Sequence, residues 1–155
     1  MSTYQVTATG SINAPAEQVY AIIADYRNGH PHILPPQFSN LEVEQGGIGA
    51  GTVIRFQVTT LGRTQNFRAA VIEPEPGRVL VETDLDTGAV TTFTVTPLER
   101  GRSQATILTE FKNKGGLLGS LERWMTSLFL PGIYKQELVK LAALAEGRVS
   151  RPSKE

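Results

Sequence analysis

Between Phe38 and Phe111 the chain alternates apolar and polar residues in short runs, each cut off by a few turn-forming residues. A period of two puts successive side chains on opposite faces of an extended strand. The runs lie near 38–45, 51–60, 64–73, 78–84, 90–97 and 103–111. They are separated by Gly46-Gly47-Ile48-Gly49, Leu61-Gly62, Glu73 to Gly77, Asp86-Thr87-Gly88 and Glu99-Arg100-Gly101. Gaps this short leave no room for crossover helices, so the strands must pair as antiparallel hairpins in sequence order. Residues 3–12, alternating and rich in β-branched types, add a seventh strand.

Helical patterns flank this meander. Asn13, Pro15 and Glu17 form a helix-start signature, and Val19, Ile22, Ile23 and Tyr26 recur at helical spacing, predicting a helix over 16–25. Residues 27–37 carry three prolines and a glycine and cannot continue as a regular element. After Gly116, Leu117, Leu121, Trp124, Met125 and Leu128 share one helical face, and Leu138, Leu141, Ala142 and Ala145 share another. Pro131-Gly132 predicts a kink or short break between them, and Gly147 a stop. One face of a seven-stranded sheet needs a cover, and only this last helix is long enough to lie across it. The expected architecture is α+β: a curved antiparallel sheet gripping a long C-terminal helix. A length of 155 residues fits one domain, taken as 1–147, with 148–155 as a flexible polar tail.

This arrangement resembles the START-like (SRPBCC) superfamily, the helix-grip or polyketide cyclase/dehydrase-like fold. The resemblance rests on Ile12 to Tyr26, on Ile33-Leu34-Pro35-Pro36, on Gly51 to Phe56 leading to Ala70–Leu80, and on Leu138 to Glu146. Together these segments span about residues 3–147. The resemblance implies a hydrophobic cavity between sheet and helix, used by relatives to hold lipids, sterols or polyketides. Some relatives are enzymes and others carriers, so the fold alone does not decide the activity.

Composition excludes several classes. Fifteen basic residues balance fifteen acidic ones, so the charge excess of a nucleic-acid binder is missing. The absence of cysteine removes disulfides, thiolate nucleophiles and Cys-ligated zinc. No apolar run reaches a membrane span, and the N-terminus lacks a signal-peptide layout. The expected location is the cytoplasm.

His30 and His32 are the only imidazoles, which confines acid–base chemistry to one loop. Two histidines without a nearby third ligand make a poor metal site, so neither metal nor cofactor is expected. Tyr26 could present its hydroxyl to a ligand or pack as an amphipathic side chain. Alternation places Ile54 and Phe56, Phe67 and Ala69, Phe93, and Thr109 toward the helix, where Trp124, Met125 and Leu128 should meet them. With Tyr26 and His32 these are the expected ligand-binding residues. Arg55, Arg68 and Glu82 read best as members of a solvated outer face with cross-strand ion pairs.

The function these features support is binding of a hydrophobic or amphiphilic small molecule, with the 27–37 loop and the Pro131-Gly132 break as gates. The alternative is a cyclase or dehydratase using His30 or His32 as acid/base, with Tyr26 or Arg55 polarising a carbonyl. A third class is an interaction module, including a homodimer, which exposed apolar surface from Leu117 to Phe129 would favour.

Overall fold

Ten alternating residues, Thr3–Ile12, form β1, with Tyr4, Val6, Ala8 and Ile12 turned inward and buried. A computed structural model describes residues 2–150. Helix α1 (Ala16–Ala24) follows and buries Val19, Ile22 and Ile23. The meander is β2 (Phe38–Gln45), β3 (Val53–Thr60), β4 (Arg63–Glu75), β5 (Val79–Asp84), β6 (Val90–Pro97) and β7 (Ser103–Lys112). Helix α2 runs from Gly116 to Ser150. All strands belong to one antiparallel sheet in the order β1-β7-β6-β5-β4-β3-β2. Each strand from β2 to β7 pairs with the next, as the short gaps predict, while β1 closes onto β7 with Thr3 opposite Lys112 and Ile12 opposite Ser103. The curved sheet and the long helix make the expected helix-grip.

The tightest turn is at Leu61-Gly62, where both residues take positive φ (53° and 75°). This is the backbone hand that matches the twist of a two-residue hairpin. It leaves the Leu61 side chain 70 % exposed at the end of the sheet.

Three local expectations are corrected. Pro15, not Asn13, occupies the cap position of α1, and no side chain caps the helix. Asn13 sits too far upstream and accepts instead from Arg102 Nε at 3.1 Å. Helix α2 is continuous through Pro131, so the expected break is absent. The hydrogen bond that a proline forfeits falls on the Ser127 carbonyl, in an exposed half of the helix where water can replace it. The helix also passes Gly147, since one glycine costs a helix only about 1 kcal/mol. Of the expected polar tail, Arg148–Ser150 are helical and 151–155 lie outside the described residues.

Ile12, Val95, Ile107 and Leu141 are almost completely buried between sheet and helices. Beside them Ser103, fully buried, donates its hydroxyl to the Ala14 carbonyl at 2.9 Å and ties the start of β7 to the approach of α1. Ser103→Ala leaves that buried carbonyl without its side-chain donor. The expected loss is about 1–2 kcal/mol of stability, read as a lower urea midpoint at unchanged slope. An unchanged midpoint would contradict this role.

Candidate functional site

The two halves of α2 differ in what they cover. Ile133, Tyr134, Glu137, Leu138, Leu141 and Ala145 are buried against the fold. The first half overhangs the sheet beyond that contact, and a cavity of about 260 Å³ lies beneath it. Its walls are apolar: Ile54, Phe56 and Val58 from β3, Phe67 and Ala69 from β4, Phe93 from β6, Phe111 from β7, and Met125, Phe129 and Leu130 from α2. Phe56 stacks on Phe67 with ring centres 5.4 Å apart. Exposed Leu61 and Phe129 border it on the solvent side.

At the inner end the lining turns polar. The loop after α1 begins with an Asx turn, in which Asp25 Oδ1 accepts from the amides of Arg27 and Asn28 at 3.1 and 3.0 Å. It continues into a one-turn 3-10 segment, His30–His32. Gly29 is required by close approach, because a Cβ there would lie 2.4 Å from the Ile22 carbonyl oxygen. The result is that His30 turns inward and is only 3 % exposed. Its ring stacks on Tyr26 at 4.5 Å and meets the edge of Phe93 at 5.5 Å.

His30 Nδ1 lies 2.8 Å from the Ile23 carbonyl, which can only accept, so Nδ1 carries the hydrogen. Nε2 is therefore the atom offered to the cavity. It stands 3.8 Å from Glu82 Oε2 and 3.8 Å from Glu137 Oε2, too far for direct hydrogen bonds and close enough for one polar atom to bridge. The same Glu82 oxygen accepts from the Tyr26 hydroxyl at 2.5 Å. Burial, reinforced by Glu82, pushes the Tyr26 hydroxyl well above its ordinary range, so it keeps its proton and donates. Burial also pushes the Glu137 carboxyl well above the usual carboxylate range, with Glu82 acting in the same direction. That favours a protonated Glu137 that can donate. Alongside, Tyr134 and Thr109 hydroxyls meet at 2.5 Å, and Thr109 meets Thr91 at 2.8 Å. Asp84 is occupied by its own turn, accepting from the Thr87 amide and hydroxyl. Among the described residues, no three His, Asp or Glu side chains are arranged to hold a metal ion.

Of the sequence-derived residues, His30, Ile54, Phe56, Phe67, Ala69, Phe93, Thr109 and Met125 line the cavity. Tyr26 stands behind the lining, holding Glu82 and stacking on His30. Three expectations are displaced. His32 is exposed and lies outside the cavity, because the tight 3-10 turn sends the two histidines in different directions. Trp124 and Leu128 are 62 % and 57 % exposed. They form an outward row with Leu117 and Leu121, and the cavity face of α2 instead carries Met125, Phe129, Ile133 and Glu137.

Arg55 and Arg68 lie on the outer face, paired with Glu42 and Glu44, so Arg55 cannot polarise a bound carbonyl. Glu82 departs from the outer-face expectation and points inward. The signal was its parity: Glu82 shares its strand face with Leu80, which is fully buried. Glu137 went unnoticed, although it stands one helical turn before Leu141 on the buried face.

Searching curated protein sequences gives no match. Solved structures do match. The KanY protein is 31 % identical, with a TM-score of 0.83 over 95 % of this chain and all of that one. The Zhui aromatase/cyclase from Streptomyces sp. R1128 is 19 % identical, with a TM-score of 0.82 over 99 % of this chain and all of that one. A START superfamily protein from Mycobacterium smegmatis is 19 % identical, with a TM-score of 0.66 over 96 % of this chain and 99 % of that one. The family described as polyketide cyclase / dehydrase and lipid transport matches residues 3–146. With nearly the whole chain matched and the sheet and long helix in their expected relation, this protein belongs to that family.

Proposed function

We propose that the protein binds a compact amphiphilic small molecule in the cavity, apolar body against the phenylalanines and polar end at His30. The observation that carries this reading is a hollow with largely apolar walls and a buried polar pole where His30, Glu82 and Glu137 converge. Its volume of about 260 Å³ lies near the lower edge of small-molecule sites, roughly 300–1,000 Å³, and so favours a ring system over a long-chain lipid. Burial of the ligand's apolar surface, about 25 cal/mol per Å², supplies most of the affinity.

The test is a thermal-shift screen with fatty acids, sterols and hydroxylated two- and three-ring aromatics. The aromatics should raise the midpoint in a concentration-dependent way, as any ligand of the native state does. A flat response to every class would defeat the proposal.

One observation favours a second reading, a cyclase or dehydratase. The Ile23 carbonyl fixes the His30 tautomer, leaving Nε2 directed at the cavity beside a carboxyl able to give up a proton. In that reading Nε2 takes a proton from the substrate and Glu137 returns one to a leaving oxygen. Turnover of a polyketide-like substrate by wild type, lost in His30→Gln while binding persists, would establish it. Binding without turnover in both proteins would leave the carrier.

A further inference from the structure

The polar pole has a chemical bias that the apolar walls lack. Among the described residues, three carboxyl side chains, Glu82, Asp84 and Glu137, line the cavity, and no lysine or arginine does. The chain as a whole is neutral, so this one-signed lining is local to the cavity. On β3 and β4, Arg55 and Arg68 are on the opposite face of the sheet and engaged with Glu42 and Glu44, while Arg63 is exposed at the hairpin end and outside the lining.

We propose that the inner end of the cavity selects ligands bearing a phenolic or alcoholic hydroxyl and rejects those ending in a carboxylate. The inference rests on the ligand-binding reading above and names the chemistry of its polar end. A hydroxyl both donates and accepts, and the pole offers both complements. His30 Nε2 accepts when the ring is neutral, as does Glu82, while the Glu137 carboxyl in its favoured protonated form donates.

Each 3.8 Å spacing from Nε2 to a carboxyl oxygen can be bridged by one polar atom, which suits a hydroxyl oxygen. A carboxylate brings two acceptor oxygens and a negative charge to a buried place already holding acidic groups and no fixed cation to neutralise it. An ammonium group brings donors only, so seating it requires Glu137 to give up the proton that burial favours. Nor can Tyr26 rescue an anion, since its hydroxyl is committed to Glu82.

Isothermal titration calorimetry of the wild-type chain at neutral pH with naphthalene, 2-naphthol, 2-naphthoate and 2-naphthylmethylammonium separates the claims. The ring system is common to all four, so differences report the polar end. Expected is 2-naphthol binding about tenfold or more tighter than 2-naphthoate, and tighter than both naphthalene and the ammonium compound. Glu82→Gln, checked for a native thermal transition, should narrow the naphthol–naphthoate gap. The wild-type series decides alone if that variant does not fold.

Naphthoate binding as tightly as naphthol would overturn the selection and leave the cavity reading standing. The same holds if naphthalene or the ammonium compound matches naphthol. Failure of all four to bind would overturn the cavity reading and this inference with it.

Discussion

Replacing Ala69 by phenylalanine should weaken binding of any cavity ligand by roughly 100-fold, about 2.7 kcal/mol, while the protein stays folded. Ala69 is 3 % exposed in the middle of β4, opposite Ile54, and its side chain faces the cavity. A phenyl ring at that position enters the hollow in place of a ligand. Introducing so large a group into a close-packed interior usually costs about 1–3 kcal/mol through strain. Here the space is present beforehand, and the added apolar surface is buried against Phe56 and Phe67, so the thermal midpoint should change little. Calorimetric titration of 2-naphthol into both proteins, with their melting curves beside it, gives the answer. Undiminished affinity in Ala69→Phe would mean that ligand binds elsewhere, on the exposed row of α2 for example.

The second large effect is on stability. Glu137→Gln should remove a pH dependence that the wild type carries. In the folded state burial, and then Glu82, raise the Glu137 carboxyl well above its ordinary 4.5. The folded chain therefore holds this proton more tightly than the unfolded chain does. That preference contributes stability in full below about pH 4.5 and is lost as pH climbs through the raised folded value. Each unit of separation is worth about 1.4 kcal/mol at the alkaline end.

Glutamine keeps the shape and the donor but has no proton to release. Urea unfolding at about pH 4, 6 and 8 should therefore show the variant gaining on the wild type as pH rises. Parallel curves for the two proteins would show that Glu137 ionises as freely inside the fold as outside it.

The same carboxyl illustrates what a sequence discloses. Strand faces were legible because one face of the sheet is buried and a period of two then leaves little choice: Ile54, Phe56, Phe67, Ala69, Phe93 and Thr109 all line the cavity. Hairpin order followed from gap lengths. The first half of α2 was misread because Leu117, Leu121, Trp124 and Leu128 form an apolar stripe that local pattern alone assigns to the interior. The structure turns the other side toward the cavity, where Thr126 and Glu137 accompany Met125 and Phe129.

Polar residues at the pole were the hardest to see. Glu82 and Glu137 share faces with buried Leu80 and Leu141, but only the position of His30 across the cavity gives them a common role. Nothing in linear spacing connects residues 30, 82 and 137. Three elements packed around one hollow do.

The pairing of β1 with β7 has a consequence for how the chain is made. The first strand of this sheet in chain order has as its strand partner the last, with Val6 opposite Thr109 and Ala8 opposite Ile107. Until β7 emerges, the inward side chains of β1 have no neighbouring strand, and its backbone edge stays open to other chains. Closing so long a loop also carries an entropic toll that local hairpins escape. Translation therefore delivers the β2–β7 meander in an order that can zip as it grows, whereas β1 must wait for the last strand of the sheet.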